Sequence, residues 1–404
     1  MTDNFVSALD GVKVLDLTEE RGLYAGKMLA DLGAEVTLIE KPGGGKARQT
    51  VPFKDDKPGT ENSLSFLYFN TNKRGITLDL DKPAGQDIFK HLVKRADMVI
   101  EDGEIGRMHS LGLDYPVLQE LNRGIIMASV TGFGQTGPYR NYKAPDIVSF
   151  AMGGTMNASG PPNEPPIVAP SVQSYYSASV VSVYGMLAAL FLRMSTGEGQ
   201  LVDVSAHEAM AIFSANALMT YSNTSQIARR NGSQFGAVPG RIFPCADGHV
   251  HILTIRPYHW QGFLDVLKAA NPDMSITGEE WTDAGLRMQN VDIIDAHTME
   301  FTMTHNKMEI AELLQAKEVP CTPVNTPAEF CQDPHIKERG FIIEIEHPVI
   351  GRHGYFSPPY RLSKTPCSIR RPAPLLGQHN REVYCGELGY NSDELAKLTA
   401  EGII

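Results

Sequence analysis

Over the first 130 residues, short apolar runs alternate with longer segments of helical period. VKVLDL (12–17) is followed by the helix-period stretch YAGKMLADLG and then by EVTLIE (35–40), a strand–helix–strand unit. GITLDL (75–80), AGQDIFKHLVKRA and DMVIE (97–101) make a second such unit, and GIIMASV (124–130) adds a strand after YPVLQELN. Repeated βα units of this length predict an α/β protein with an open, parallel, Rossmann-like sheet covered by helices on both faces. PSVQSYYSASVVSVYGMLAAL (170–190) reads as one small-residue helix with Tyr175 and Tyr176 near its start and no acid or base within it. After MSTGEGQLVDVSAHEAMAIFSANAL the pattern changes. Residues from about 225 to 325 mix short strands (GHVHILTI) with helices (DIIDAHTMEFTM, MEIAELLQA), which predicts a second, smaller α+β domain. The proline-broken stretch SPPYRLSKTPCSIRRPAPLLGQHN is too polar to form its own core and is expected to wrap over another surface, before a last helix around SDELAKLTAEG.

Composition narrows the partners. A chain of 404 residues, 42% hydrophobic and 21% charged, can bury a large core and suggests two or three domains. Its formal net charge of −11 argues against nucleic acid or an anionic membrane surface, both of which need a basic footprint. Small molecules and other proteins remain. Five scattered cysteines, without a C-x-x-C pair or a histidine at zinc-ligand spacing, predict no metal site and a reducing, cytoplasmic setting. The opening MTDNFVSALDG lacks a signal pattern, and the longest apolar run, near 178–192, contains serines and reads as too short to span a bilayer.

Several motifs have competing readings. GFGQTG (132–137) has the G-x-G-x-x-G spacing after a strand, but Pro138 and YRNYK follow where a helix should start. A glycine turn at the mouth of the sheet is therefore a better reading than a nicotinamide or flavin site. PGGGK (42–46) lacks Walker spacing, yet makes a phosphate-compatible loop where the second strand ends. DVSAHEAM brings Asp203, Ser205 and His207 together without a nucleophile elbow, and His207 reads as a packing or surface residue. Lys73 and Arg74 precede a strand and Lys143 follows the glycine loop. Such cations are either solvated charge or the groups a phosphorylated ligand requires.

Seven phrases in order, LADLGAEVTLIEKPGGG, NTNKRGITLDL, SVTGFGQTGPY, STGEGQLVDVSAHEA, FPCADGHV, VNTPAEFCQDPHIKERGF and RRPAPLLGQHNREV, together resemble the class III CoA-transferases. The resemblance implies a large discontinuous domain (1–224 and 326–404), an inserted small domain (225–325) and two subunits interlocked like links of a chain. It implies that Asn72, Lys73, Arg74 and Lys143 contact CoA, that the coenzyme A thioester is a substrate, and that no further cofactor is needed. In the family an aspartate attacks the donor thioester to give a mixed anhydride, which the returning CoA opens to an aspartyl thioester.

Counting from MLAAL and STGEGQ places that aspartate at Tyr175, and no Asp occurs between Asp146 and Asp203. A phenol, with a usual pKa of about 10, is a poor substitute. Glu164 is the one acid nearby. The family phrase E-N-F-r-P-G also departs here to EDGEIG, where Asp102 and Gly103 replace an Asn-Phe pair that contacts CoA in the family, Glu104 replaces a usually basic residue, Ser110 replaces a CoA-contacting arginine further on, and carboxylates would repel phosphates. These losses imply a catalytically silent subunit whose paralogous partner supplies the aspartate. The benzylsuccinate CoA-transferase is built from two related but different subunits, and the one lacking the nucleophile is what this chain most resembles. The expected reaction is transfer of CoA from succinyl-CoA to a carboxylic acid of the 2-benzylsuccinate type. The alternatives are a self-sufficient homodimer with a displaced carboxylate, and a protein that binds acyl-CoA or acts as a scaffold without turnover. Racemase chemistry is disfavoured because Pro145 occupies the place of its histidine.

Overall fold

The computed structural model describes residues 7–404. They form two compact units. One comprises the described residues up to Met156 together with Val168–Gln226 and His335–Ile404; the other comprises Asn157–Ile167 and Ile227–Pro334. The second unit thus takes in a loop and a C-terminal extension beyond the expected 225–325. Hydrogen bonds explain both additions. Arg230 donates to the carbonyls of Asn157 and Pro161, and the Gly232 N–H bonds Gly160 O, which ties 157–167 to this unit. Glu329, in the helix Pro327–Gln332, is ion-paired to Lys307 at 2.5 Å.

In the first unit, strands β1 (Lys13–Asp16), β2 (Glu35–Glu40), β3 (Arg74–Thr77), β4 (Met98–Glu101), β5 (Ile126–Thr131) and β6 (Leu201–Ser205) make one parallel sheet of order β3-β2-β1-β4-β5-β6. Helix α1 (Leu23–Asp31) links β1 to β2, and α2 (Pro83–Val93) links β3 to β4. The strands are apolar on both faces because helices cover both. Leu15, Ile39, Ile76 and Val99 pack with Phe89 of α2 and with Val383 and Tyr384 near the C-terminus. Val14, Val36, Ile100 and Ala128 pack on the opposite side with Leu29 of α1 and with Ala178 and Met186 of α3 (Gln173–Thr196). The Tyr384 hydroxyl donates to Thr77 O at 2.6 Å, so both ends of the chain build this unit.

Helix α3 is 24 residues long, more than the apolar run near 178–192 suggests, and by length and composition alone it would be able to cross a membrane. It is a helix of the first unit instead, with Ser174, Ala178, Ser182, Val183, Met186 and Ala189 buried. It ends at Gly197, whose left-handed φ of 73° stops the helix.

The second unit has a three-stranded antiparallel sheet of β7 (Gly240–Cys245), β8 (Gly248–Leu253) and β9 (Cys321–Pro323). Its core gathers Phe243, Val250, Trp260, Phe263, Ile294 and Ile310.

Candidate active site

The strand order reverses between β1 and β4, which pair side by side in the middle of the sheet. In open α/β sheets the crevice at the carboxyl ends of such strands is the usual ligand position. A cavity of about 520 Å³ opens there, lined from β1 by Leu17 to Arg21, from β4 by Glu101 to Glu104, from the glycine-rich loop by Gly45 and Lys46, and by Lys143, Pro145 and Tyr175.

Tyr175 stands in the first turn of α3, half-buried on the cavity wall. The Arg21 guanidinium lies over its ring, 5.6 Å from the centroid. Burial pushes the phenol pKa above its ordinary value, and a hydrogen bond from backbone at Asp146 and the Arg21 charge only partly oppose this. The phenolate is therefore scarcer than in free tyrosine. The nearby carboxylate of Asp146 is occupied by the next residue back, accepting from Ser174 N at 2.8 Å and Ser174 Oγ at 2.7 Å.

Asp102 was expected to repel phosphates, but its charge is spent inside the protein. Its two oxygens accept from the backbone N–H groups of Glu19 (2.9 Å), Glu20 (2.8 Å) and Gly22 (3.1 Å), the turn that leads into α1. Glu104 sits at the opening, paired with Lys143, and the bond to that ammonium holds its carboxyl below the usual range. Arg107 is paired with Asp81 at 2.5 Å.

Glu101, which sequence reasoning passed over, also lines the cavity. Burial raises its pKa to about 7, against the stabilising bonds from the Ser129 hydroxyl and from Gly103 N at 2.9 Å. Gln135 Nε2 donates in turn to Ser129 Oγ at 2.5 Å. The signal that could have found it is topological: Glu101 ends a strand at the switch point, which becomes visible only once the strand order is known.

Of the four cationic or amide residues expected to touch CoA, only Lys143 is on the cavity wall. Lys73 is wholly buried, its ammonium bonded to Asp16 Oδ2 at 2.7 Å, Asn70 Oδ1 at 2.9 Å and Leu23 O at 3.2 Å. Asn72 is buried with a left-handed φ of 67°; it donates to Asp31 and Ser368 O and accepts from Arg370 N and Arg371 N, fastening the C-terminal segment. Arg74 is held by Glu382, Glu387 and Thr37. All three are tied into the framework, because the residues that satisfy them come from distant parts of the chain. Glu164 is exposed and belongs to the second unit. Asp203 accepts from the Gln135 N–H at 3.0 Å, and His207 Nε2 bonds Met152 O, so these residues hold the glycine turn and a helix in place. Among the described residues, no cluster of three or more His, Cys, Asp or Glu could hold a metal ion.

A switch-point cavity in a sheet of order 3-2-1-4-5-6, walled by charged loops, defines a doubly wound α/β protein. The model of CoA-transferase family III matches residues 9–380, and the chain belongs to that family. It is 31% identical to the succinyl-CoA:(R)-benzylsuccinate CoA-transferase subunit BbsE of Thauera aromatica, over 96% of this chain and 97% of that one. It is 32% identical to a formyl-CoA:oxalate CoA-transferase of Streptomyces coelicolor, over 98% and 99%. Among solved structures it is similar to a CAIB/BAIF family protein from Brucella suis (TM-score 0.86, 28% identity, 94% and 99% covered). It is also similar to Rv3272 from Mycobacterium tuberculosis (TM-score 0.80, 27% identity, 93% and 99% covered).

Proposed function

We propose that this chain is the catalytically silent subunit of a heteromeric class III CoA-transferase that moves CoA from succinyl-CoA to a carboxylic acid of the 2-benzylsuccinate type. A paralogous partner supplies the nucleophilic aspartate. The observation that carries this reading is Tyr175. A phenol occupies the turn where the family's acid is expected, its pKa is raised by burial, and acyl transfer to it would leave an aryl ester rather than a readily reopened anhydride. The likeness to a relative named as one subunit of a benzylsuccinate enzyme supports the heteromeric form. So does the apolar surface of the first unit, where Tyr184, Phe191 and Met194 of α3 and Ile212, Phe213 and Leu218 beyond it are all more than 60% exposed. The chain's part is to complete the assembly in the cytoplasm, with CoA thioester as substrate and no further cofactor.

The test is activity by reconstitution. The chain purified alone, mixed with succinyl-CoA and 2-benzylsuccinate, gives no transfer, and the chain co-purified with its paralogue does. Full transfer by the lone chain refutes the reading. A second reading, a self-sufficient transferase with a displaced carboxylate, is favoured by one observation: Glu101 lies on the cavity wall with a pKa near 7. Its two oxygens are engaged by Ser129 and Gly103, which counts against its use as a free nucleophile.

A further inference from the structure

The cavity's charges are unevenly matched. Lys143 is paired with Glu104 and Arg107 with Asp81, so two of its cations are already neutralised by the chain itself. Arg21 differs. Its guanidinium donates only to the neutral carbonyls of Asp102 (3.3 Å) and Ala144 (3.2 Å), and its Nε is buried without a hydrogen-bond partner. Among the described residues, no carboxylate lies within ion-pair distance of it. A half-buried guanidinium with spare donors and no counter-ion is incomplete, and a planar carboxylate matches its fork. The Tyr175 ring lies beneath it, and Leu38, Phe66, Leu78 and Met108 add apolar wall.

From this we infer that the cavity binds a small free carboxylic acid with an apolar body, anchored through Arg21, in preference to a CoA thioester. Selectivity comes from the remaining charges. With the Lys143–Glu104, Arg107–Asp81 and Arg48–Glu40 pairs and the amide-bound Asp102 set aside, Arg21, Lys41 and Lys46 face Glu19, Glu20, Asp79 and Glu101, so the wall offers no net positive field to a ligand that brings several negative charges. One carboxylate is matched by Arg21 alone, whereas the several charges of CoA's phosphates are not. The inference rests on the reading above only in taking this cavity as a site without turnover.

The test is calorimetry on the purified full chain with three probes: 3-phenylpropanoate, which carries one carboxylate on an apolar body, its methyl ester, and CoA. The acid is expected to bind at least tenfold more tightly than either of the others. Arg21→Gln should weaken the acid at least tenfold at unchanged melting temperature, and Lys94→Gln, at an exposed position outside the cavity, should leave it within twofold. The ester comparison needs no variant, so it stands even if Arg21→Gln misfolds. Equal binding of acid and ester, no binding of the acid, tighter binding of CoA, or an acid affinity indifferent to a folded Arg21→Gln each overturns the inference. No transfer step enters the assay, so its failure leaves the subunit reading standing.

Discussion

Replacing Lys73 by methionine separates a structural role from a ligand-binding one. The Lys73 ammonium and the Asp16 carboxylate are both fully buried and 2.7 Å apart, and Asp16 also accepts from Thr18 N at 3.0 Å and Thr18 Oγ1 at 2.6 Å. Methionine fills the same stem but leaves Asp16 Oδ2 without its cation and Asn70 Oδ1 without its donor. Removing one partner of a buried ion pair typically destabilises by about 3–5 kcal/mol, because the other charge stays desolvated. For a unit of this size each kcal/mol moves the melting temperature by roughly 2–4 °C, so the fall should be on the order of 10 °C. Thermal unfolding followed by circular dichroism reads it directly. The double change Asp16→Leu with Lys73→Met removes both charges and should recover part of the loss. If Lys73→Met melts within about 2 °C of the parent, a shift too small for any buried-pair loss, the framework role is wrong.

Three further outcomes follow from the same geometry. A Cβ added at Gly26 would lie 2.0 Å from Asp16 Oδ2 and 2.8 Å from Lys73 Nζ, so Gly26→Ala should lower stability by about 1–3 kcal/mol or more, read from denaturant midpoints. Burial raises Glu101 to about 7 from the usual 4.5, so the folded state holds this proton more tightly than the unfolded chain. That group therefore adds no penalty below pH 4.5, an increasing one up to pH 7 and a constant one above, roughly 3 kcal/mol in full. Glu101→Gln, which mimics the protonated form, should accordingly gain stability over the parent as pH rises through that window; parallel melting curves from pH 4 to 8 would contradict it. Tyr175→Phe keeps the ring under Arg21 and removes the hydroxyl with its bond to backbone at Asp146, a group that takes no part in the chemistry on this account, so transfer by the assembled enzyme should stay within about twofold.

The parallel sheet was legible because β1 to β5 are short apolar runs punctuated by helix-period segments, and the periodicities of 2 and 3.6 report local structure without knowledge of the fold. Helix α3 is read as starting three residues early and ending six residues early, since the small-residue pattern gives out at Leu190 whereas the true stop is the left-handed Gly197. Tyr175 was located by counting within the helix, a local operation. The cations of NTNKR were harder. Lys73 and Asp16 lie 57 residues apart, and no spacing in either segment says that one side chain turns inward to meet the other. Asp102 shows the same limit: as an isolated acid it looks hostile to an anion, but three amides from a different loop absorb its charge. Arg21 and Glu101 acquire meaning only from the strand order, which places the ends of β1 and β4 side by side.

The most direct measurement is acyl trapping. The assembled enzyme is incubated with succinyl-CoA and hydroxylamine, and the resulting hydroxamate is mapped by peptide mass spectrometry. Modification confined to an aspartate of the partner chain, with this chain unmarked, is the predicted result. A hydroxamate on Glu101, Asp146 or Glu164 would show that this chain carries its own nucleophile.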